Sequence, residues 1–197
     1  MNCKQFICLD VNIVNQYVGY DISPTRKVVY GSILACFATI LQSAGIIGGL
    51  GYFVSMFSTL PILIATIISL QMGFSSYIVA LLLIAIIQPS ELFIYPFTTG
   101  ILGLSMGLAF RYFKKGFLIT FFSGGSLTLG ILLILYVLQF PILGPSVSSG
   151  VDMNTIAIIV LFSIFYSWIW MKGFILIVKK YEKMIGKSGS KFLKGSS

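Results

Sequence analysis

Six apolar runs, at 28–47, 54–70, 74–87, 92–110, 117–140 and 155–178, fill most of this 197-residue chain. Runs of this kind read as membrane-crossing helices. Charge is correspondingly scarce: 57% of the residues are hydrophobic and 9% are charged, against roughly 25% charged in a soluble domain. The expectation is an all-α integral membrane bundle of six transmembrane helices, built as one membrane domain over 28–178. A segment at 1–27 precedes it and a basic, flexible tail at 179–197 follows.

The breaks between runs carry turn chemistry. They fall at Gly48-Gly49-Leu50-Gly51, Gln71-Met72-Gly73, Gln88-Pro89-Ser90-Glu91, 111–116 and 141–154. Charge tests the count. With six spans, Lys4, Arg26, Lys27, Arg111, Lys114, Lys115, Lys179, Lys180, Lys183, Lys187, Lys191 and Lys194 share one side, twelve of the thirteen cations. The positive-inside rule makes that side cytoplasmic, with both termini on it. The opposite loops hold no cation, only Glu91 and Asp152. A net charge of +8 distributed in this way points to a lipid bilayer as partner and away from nucleic acid. The first 25 residues hold no uninterrupted apolar core of a cleavable signal, so the first span is expected to do the targeting.

Glu91 is the anomaly. A carboxylate in hydrocarbon costs roughly 2.5 to 3.5 kcal/mol on insertion scales. The third run, 74–87, is 14 residues long, about 21 Å as a helix where the hydrocarbon is about 30 Å thick. The turn holding Glu91 is therefore expected below the outer surface. Two readings stand side by side: Glu91 caps a helix beginning at Leu92, or it contacts a ligand. The candidates for substrate contact are Glu91, Gln88 and Tyr95, with Trp168 and Trp170 on the sixth run. Tyr52, Phe53 and Phe93 join Tyr95 as aromatic side chains on the outward side that would stack on a flat or cationic solute. Lys172 either lies within the membrane or snorkels to headgroups beyond an aromatic belt.

Small residues repeat at helical spacing in two runs: Gly31, Ala35 and Ala38 with Gln42 in the first, Pro96, Gly100, Gly103 and Gly107 in the fourth. Such stripes admit close helix approach, either within the bundle or onto another subunit. The fifth run carries Ser123-Gly124-Gly125-Ser126-Leu127-Thr128-Leu129-Gly130, read as a kink, as a cavity wall or as relief of crowding. Phe6, Leu9, Ile13, Tyr17 and Tyr20 suggest an interfacial N-terminal helix.

Catalytic chemistry is not expected. The chain has no histidine, no carboxylate pair at helical spacing, no nucleophile elbow and no nucleotide-binding glycine loop. Cys3, Cys8 and Cys36 without histidine make no zinc site. Neither metal nor cofactor is expected.

Length, the six-span topology, the first-span stripe GSILACFATILQ and the fourth-span pattern Gly103-x-x-x-Gly107-x-x-x-Arg111 resemble the substrate-binding S component of an energy-coupling factor transporter, over about 28–180. The resemblance implies a bacterial cell-membrane uptake component that binds a small molecule near the outer face. It also implies a transmembrane coupling subunit and cytosolic ATPases as partners, with Gly31, Ala35 and Ala38 as docking residues. The chain departs from that family in its short first outward connection and lacks a recognisable vitamin pocket motif. The alternative is a non-transporting membrane scaffold or assembly subunit.

Overall fold

The computed structural model describes Val14 and residues 23–137 and 153–194. Every regular element among them is helical: α1 (Pro24–Ser43), α2 (Leu50–Met56), α3 (Thr59–Ile68), α4 (Leu70–Ile87), α5 (Thr99–Tyr112), α6 (Gly116–Leu132) and α7 (Met153–Lys194). Short 3-10 turns at Ala44–Ile47, Pro89–Leu92 and Tyr95–Phe97 and a π turn at Leu133–Val137 complete the set. Six helical stretches are long and apolar enough to cross a membrane: Pro24–Ile47, Leu50–Ile68, Leu70–Ile87, Pro89–Tyr112, Gly116–Val137 and Met153–Tyr181. The interfacial helix expected around 6–20 lies outside the described residues except for Val14, and so does most of the 141–154 loop.

Two boundaries differ from the sequence expectation. The turn expected at Gln71-Met72-Gly73 is instead the single extended residue Ser69 (φ −154°, ψ 134°), and α4 begins at once with Leu70. Gly73 then lies inside α4, where a Cβ would collide with Thr66. Its missing side chain lets two consecutive helices pass so closely that one residue suffices to join them. Span three is consequently 18 residues long, about 27 Å, so a short third helix is not what draws Glu91 inward. At the other end, α7 does not stop at 178 but continues to Lys194, through Lys179, Lys180, Glu182 and Lys183, residues that favour helix.

Packing divides into two clusters. Leu63 and Ile67 of α3, Leu102, Met106, Ala109 and Phe110 of α5, Ile119 and Leu127 of α6, and Met171, Phe174 and Ile175 of α7 form the larger one. Ala35 and Ala38 of α1, Ile62 of α3, Ala80 and Ile84 of α4, and Tyr95 form the other. Both run through α3, which packs on α1, α4 and α5 and so lies at the centre of the bundle.

The small-residue stripes are the glue of this arrangement. The Gly31 carbonyl accepts a hydrogen bond from Ser76 Oγ at 2.9 Å, Ala35 and Ala38 are fully buried, and Thr39 Oγ1 lies 3.4 Å from the Ala80 carbonyl. The face expected to dock on a coupling subunit is thus covered by the protein's own α4. Apolar side chains would hold α1 and α4 too far apart for these backbone contacts. In α5, a Cβ at Gly103 would lie 2.8 Å from the Thr59 carbonyl oxygen, so this stripe also faces inward, onto α3. Two glycines of α6 relieve crowding, Gly124 abutting the Ile164 backbone and Gly130 the Phe97 carbonyl, whereas Gly125 has nothing within 4 Å.

Candidate functional site

Three spans are interrupted at similar depth. α1 ends at Ser43, the second span breaks at Phe57-Ser58, and the fourth enters through two 3-10 turns before α5 begins at Thr99. Interruptions free backbone groups and bring polar side chains into the bundle. Gln42, Ser58, Glu91 and Thr99 meet there.

Gln42 is the hub, with 3% of its surface exposed. Its Nε2 donates to Glu91 Oε2 at 3.0 Å. Its Oε1 accepts from Ser58 Oγ at 2.7 Å and from Thr99 Oγ1 at 3.0 Å. In this orientation the amide NH2 donates to the carboxylate and its carbonyl accepts from both hydroxyls. Glu91 itself is half-buried in the Pro89–Leu92 turn. Its Oε1 lies 3.5 Å from where a Cβ of Gly45 would stand, ordinary contact distance, so the buried Gly45 packs beside that oxygen. Among the described residues Glu91 has no ion-pair partner.

Depth follows by counting. Thr99 lies twelve residues from Arg111 and Ser58 ten from Ile68, about 18 Å and about 15 Å from the basic end. Against a hydrocarbon core about 30 Å thick, these distances correspond to roughly half the length of a span. The inward course of 89–97 carries Glu91 to that level. The helix expected to begin at Leu92 begins instead at Thr99, so Glu91 caps no such helix. It bonds to another span.

The other candidates take different places. Gln88 ends α4, is 6% exposed, and its Oε1 has no hydrogen-bond partner among the described residues. Tyr95 is fully buried in the cluster with Ala35, Ala38 and Ile84, stacked on Tyr77 with ring centroids 6.0 Å apart. Its hydroxyl also lacks a partner among the described residues, as does that of the buried Thr59 beside Ser58. No hydrogen bond among the described residues joins Trp168 or Trp170 to Glu91. Trp170 packs edge-to-face on Phe57 at 5.5 Å, at the second-span break, and the half-exposed Trp168 stacks on Phe165. Tyr52, Phe53 and Phe93 point outward, each about half exposed or more, while Tyr95 faces in. The four do not form one aromatic wall.

Sequence reasoning passed over Ser58 and Thr99 and treated Gln42 only as the end of a small-residue stripe. The available signal was Gln42 itself, a bulky amide continuing a row of Gly and Ala on a membrane helix. Its polar group had to find a partner in hydrocarbon.

Chemically, the cluster offers one carboxylate oxygen held by an amide and a second beside Gly45. Such an arrangement suits a proton, an ammonium or an amide N–H. Among the described residues no three His, Cys, Asp or Glu side chains stand together as a metal site would require. No protein-family model, no curated protein and no solved structure matches this chain.

Proposed function

We propose that this multi-pass protein is a small-solute uptake component that binds a cationic or amide-bearing solute at Glu91, entering from the end of the bundle opposite its cations. The observation that carries the reading is the half-buried Glu91 carboxylate, bonded on one oxygen by Gln42 and without an ion-pair partner among the described residues. A partly buried charge without a counter-charge carries some desolvation cost, which a solute cation would offset. Ser58 and Thr99 hold the Gln42 amide, and Gln42 holds the carboxylate, so the anion is pre-positioned before any solute arrives. Access lies past the turn between the first two spans, where Gly48 (φ 67°) and Gly49 (φ 42°) have nothing within 4 Å of their would-be side chains. Placing this end outside the cell membrane rests on the positive-inside rule. The reading does not lean on docking through Gly31, Ala35 and Ala38, which are covered.

The test is a binding screen of purified full-length protein against small guanidinium and alkylammonium compounds, run in parallel on Glu91→Gln. That change keeps size and hydrogen-bonding reach while removing the charge. Binding of a cationic solute should weaken by about 1.5 to 3 kcal/mol, the scale of a charged hydrogen bond. If no compound distinguishes the two proteins while the variant melts earlier, Glu91 is a structural clamp and the uptake reading fails.

A further inference from the structure

We propose that the groove between α6 and α7 binds an anionic glycerophospholipid, with an acyl chain along the groove and the phosphate at Lys114, Lys115 and Lys172. The groove encloses about 430 Å³, within the roughly 300–1,000 Å³ of ordinary ligand sites. Phe117 and Phe121 of α6 and Leu161, Phe165 and Trp168 of α7 are among the side chains that line it. From Leu161 to Met171 it runs ten residues, about 15 Å, half of a hydrocarbon core about 30 Å thick and so the depth of one leaflet. In a bilayer such a groove fills with lipid. Its mouth decides which lipid.

That mouth is basic. Gly116, the first groove residue of α6, directly follows the exposed Lys114 and Lys115. Lys172 stands four residues beyond Trp168 and therefore on the same face of α7, one turn toward the basic end. The register is set by two contacts: Thr120 Oγ1 lies 3.5 Å from Met171 Sδ, and a Cβ on Gly124 would lie 3.1 Å from Ile164 Cα. The two helices are thus antiparallel, and the two contacts put Lys115 level with residues 173 to 176 of α7. Lys172 is then about 2 to 6 Å deeper, at 1.5 Å per residue, within reach of the same headgroup by snorkelling. Among the described residues none of the three lysines has a carboxylate partner, so a lipid phosphate meets three cations at the top of a chain-shaped trough.

The experiment uses full-length protein carrying phosphatidylglycerol or phosphatidylcholine of identical acyl chains, with retained lipid read by native mass spectrometry. The wild type should retain phosphatidylglycerol at least tenfold in preference to phosphatidylcholine. The double variant Lys115→Gln, Lys172→Gln should lose that preference, and Lys115→Arg, Lys172→Arg should keep it. Leu161→Trp, which fills the groove, should release both lipids alike. Equal retention of the two lipids by the wild type overturns the proposal. So does a preference that survives the double glutamine variant, or one abolished equally by Lys180→Gln, Lys183→Gln, which would assign it to diffuse charge along α7.

Discussion

The side-chain amide of Gln42 donates to the carboxylate of Glu91 at 3.0 Å across 49 residues of sequence. Through the hydroxyls of Ser58 and Thr99 on the same side chain, this bond ties the end of the first span to the interruptions of the second and fourth. One glutamine thereby locks three helix breaks.

Removing that glutamine should be disproportionately damaging. Gln42→Leu leaves the carboxylate without its donor and two hydroxyls without their acceptor. With unsatisfied buried groups costing about 1 to 3 kcal/mol each, the loss should exceed that of Ser58→Ala by at least about 2 kcal/mol. Reversible unfolding of both variants in the same detergent measures the difference. Equal losses would mean the network adds nothing beyond a single bond.

Ala35 is buried against α4, so its replacement by Leu should destabilise the isolated protein by about 1 to 3 kcal/mol, the range for overpacking. Phe37→Leu, on the half-exposed face of the same helix, should be close to neutral. An Ala35→Leu protein as stable as the wild type would place the stripe on an outer surface after all.

The two tryptophans should report different surroundings. Trp168 is 46% exposed, whereas Trp170 packs on Phe57 and Tyr166. In bilayers of brominated lipid, Trp170→Phe protein, which emits from Trp168, should be quenched more strongly than Trp168→Phe protein. The reverse order would rotate α7 relative to the bundle.

Topology is checked by single cysteines in a background lacking Cys3, Cys8 and Cys36. Ile47→Cys, in the exposed turn between the first two spans, should react with an impermeant thiol reagent in intact cells. Lys114→Cys should react only after permeabilisation. Labelling in the opposite order would invert the bundle and remove the solute route proposed at Glu91.

Hydropathy alone determined the number of candidate spans, because the free energy of placing a helix in hydrocarbon is a sum over adjacent residues and needs no knowledge of neighbours. The same local logic located the Gly48-Gly49 turn and marked Glu91 as the residue in need of explanation. Sequence could not assign the partner of each face. The join at Ser69 depends on how closely Gly73 passes Thr66, which shifted the start of span three by four residues. Gly31, Ala35 and Ala38 are equally suited to an inner or an outer contact, and only the crossing of α1 with α4 makes them internal. Gln42 and Glu91 are neighbours because three separate helix interruptions fall at one depth. Hydrogen bonds reach about 3 Å, so pairing between distant segments is decided by the tertiary path that brings their side chains together.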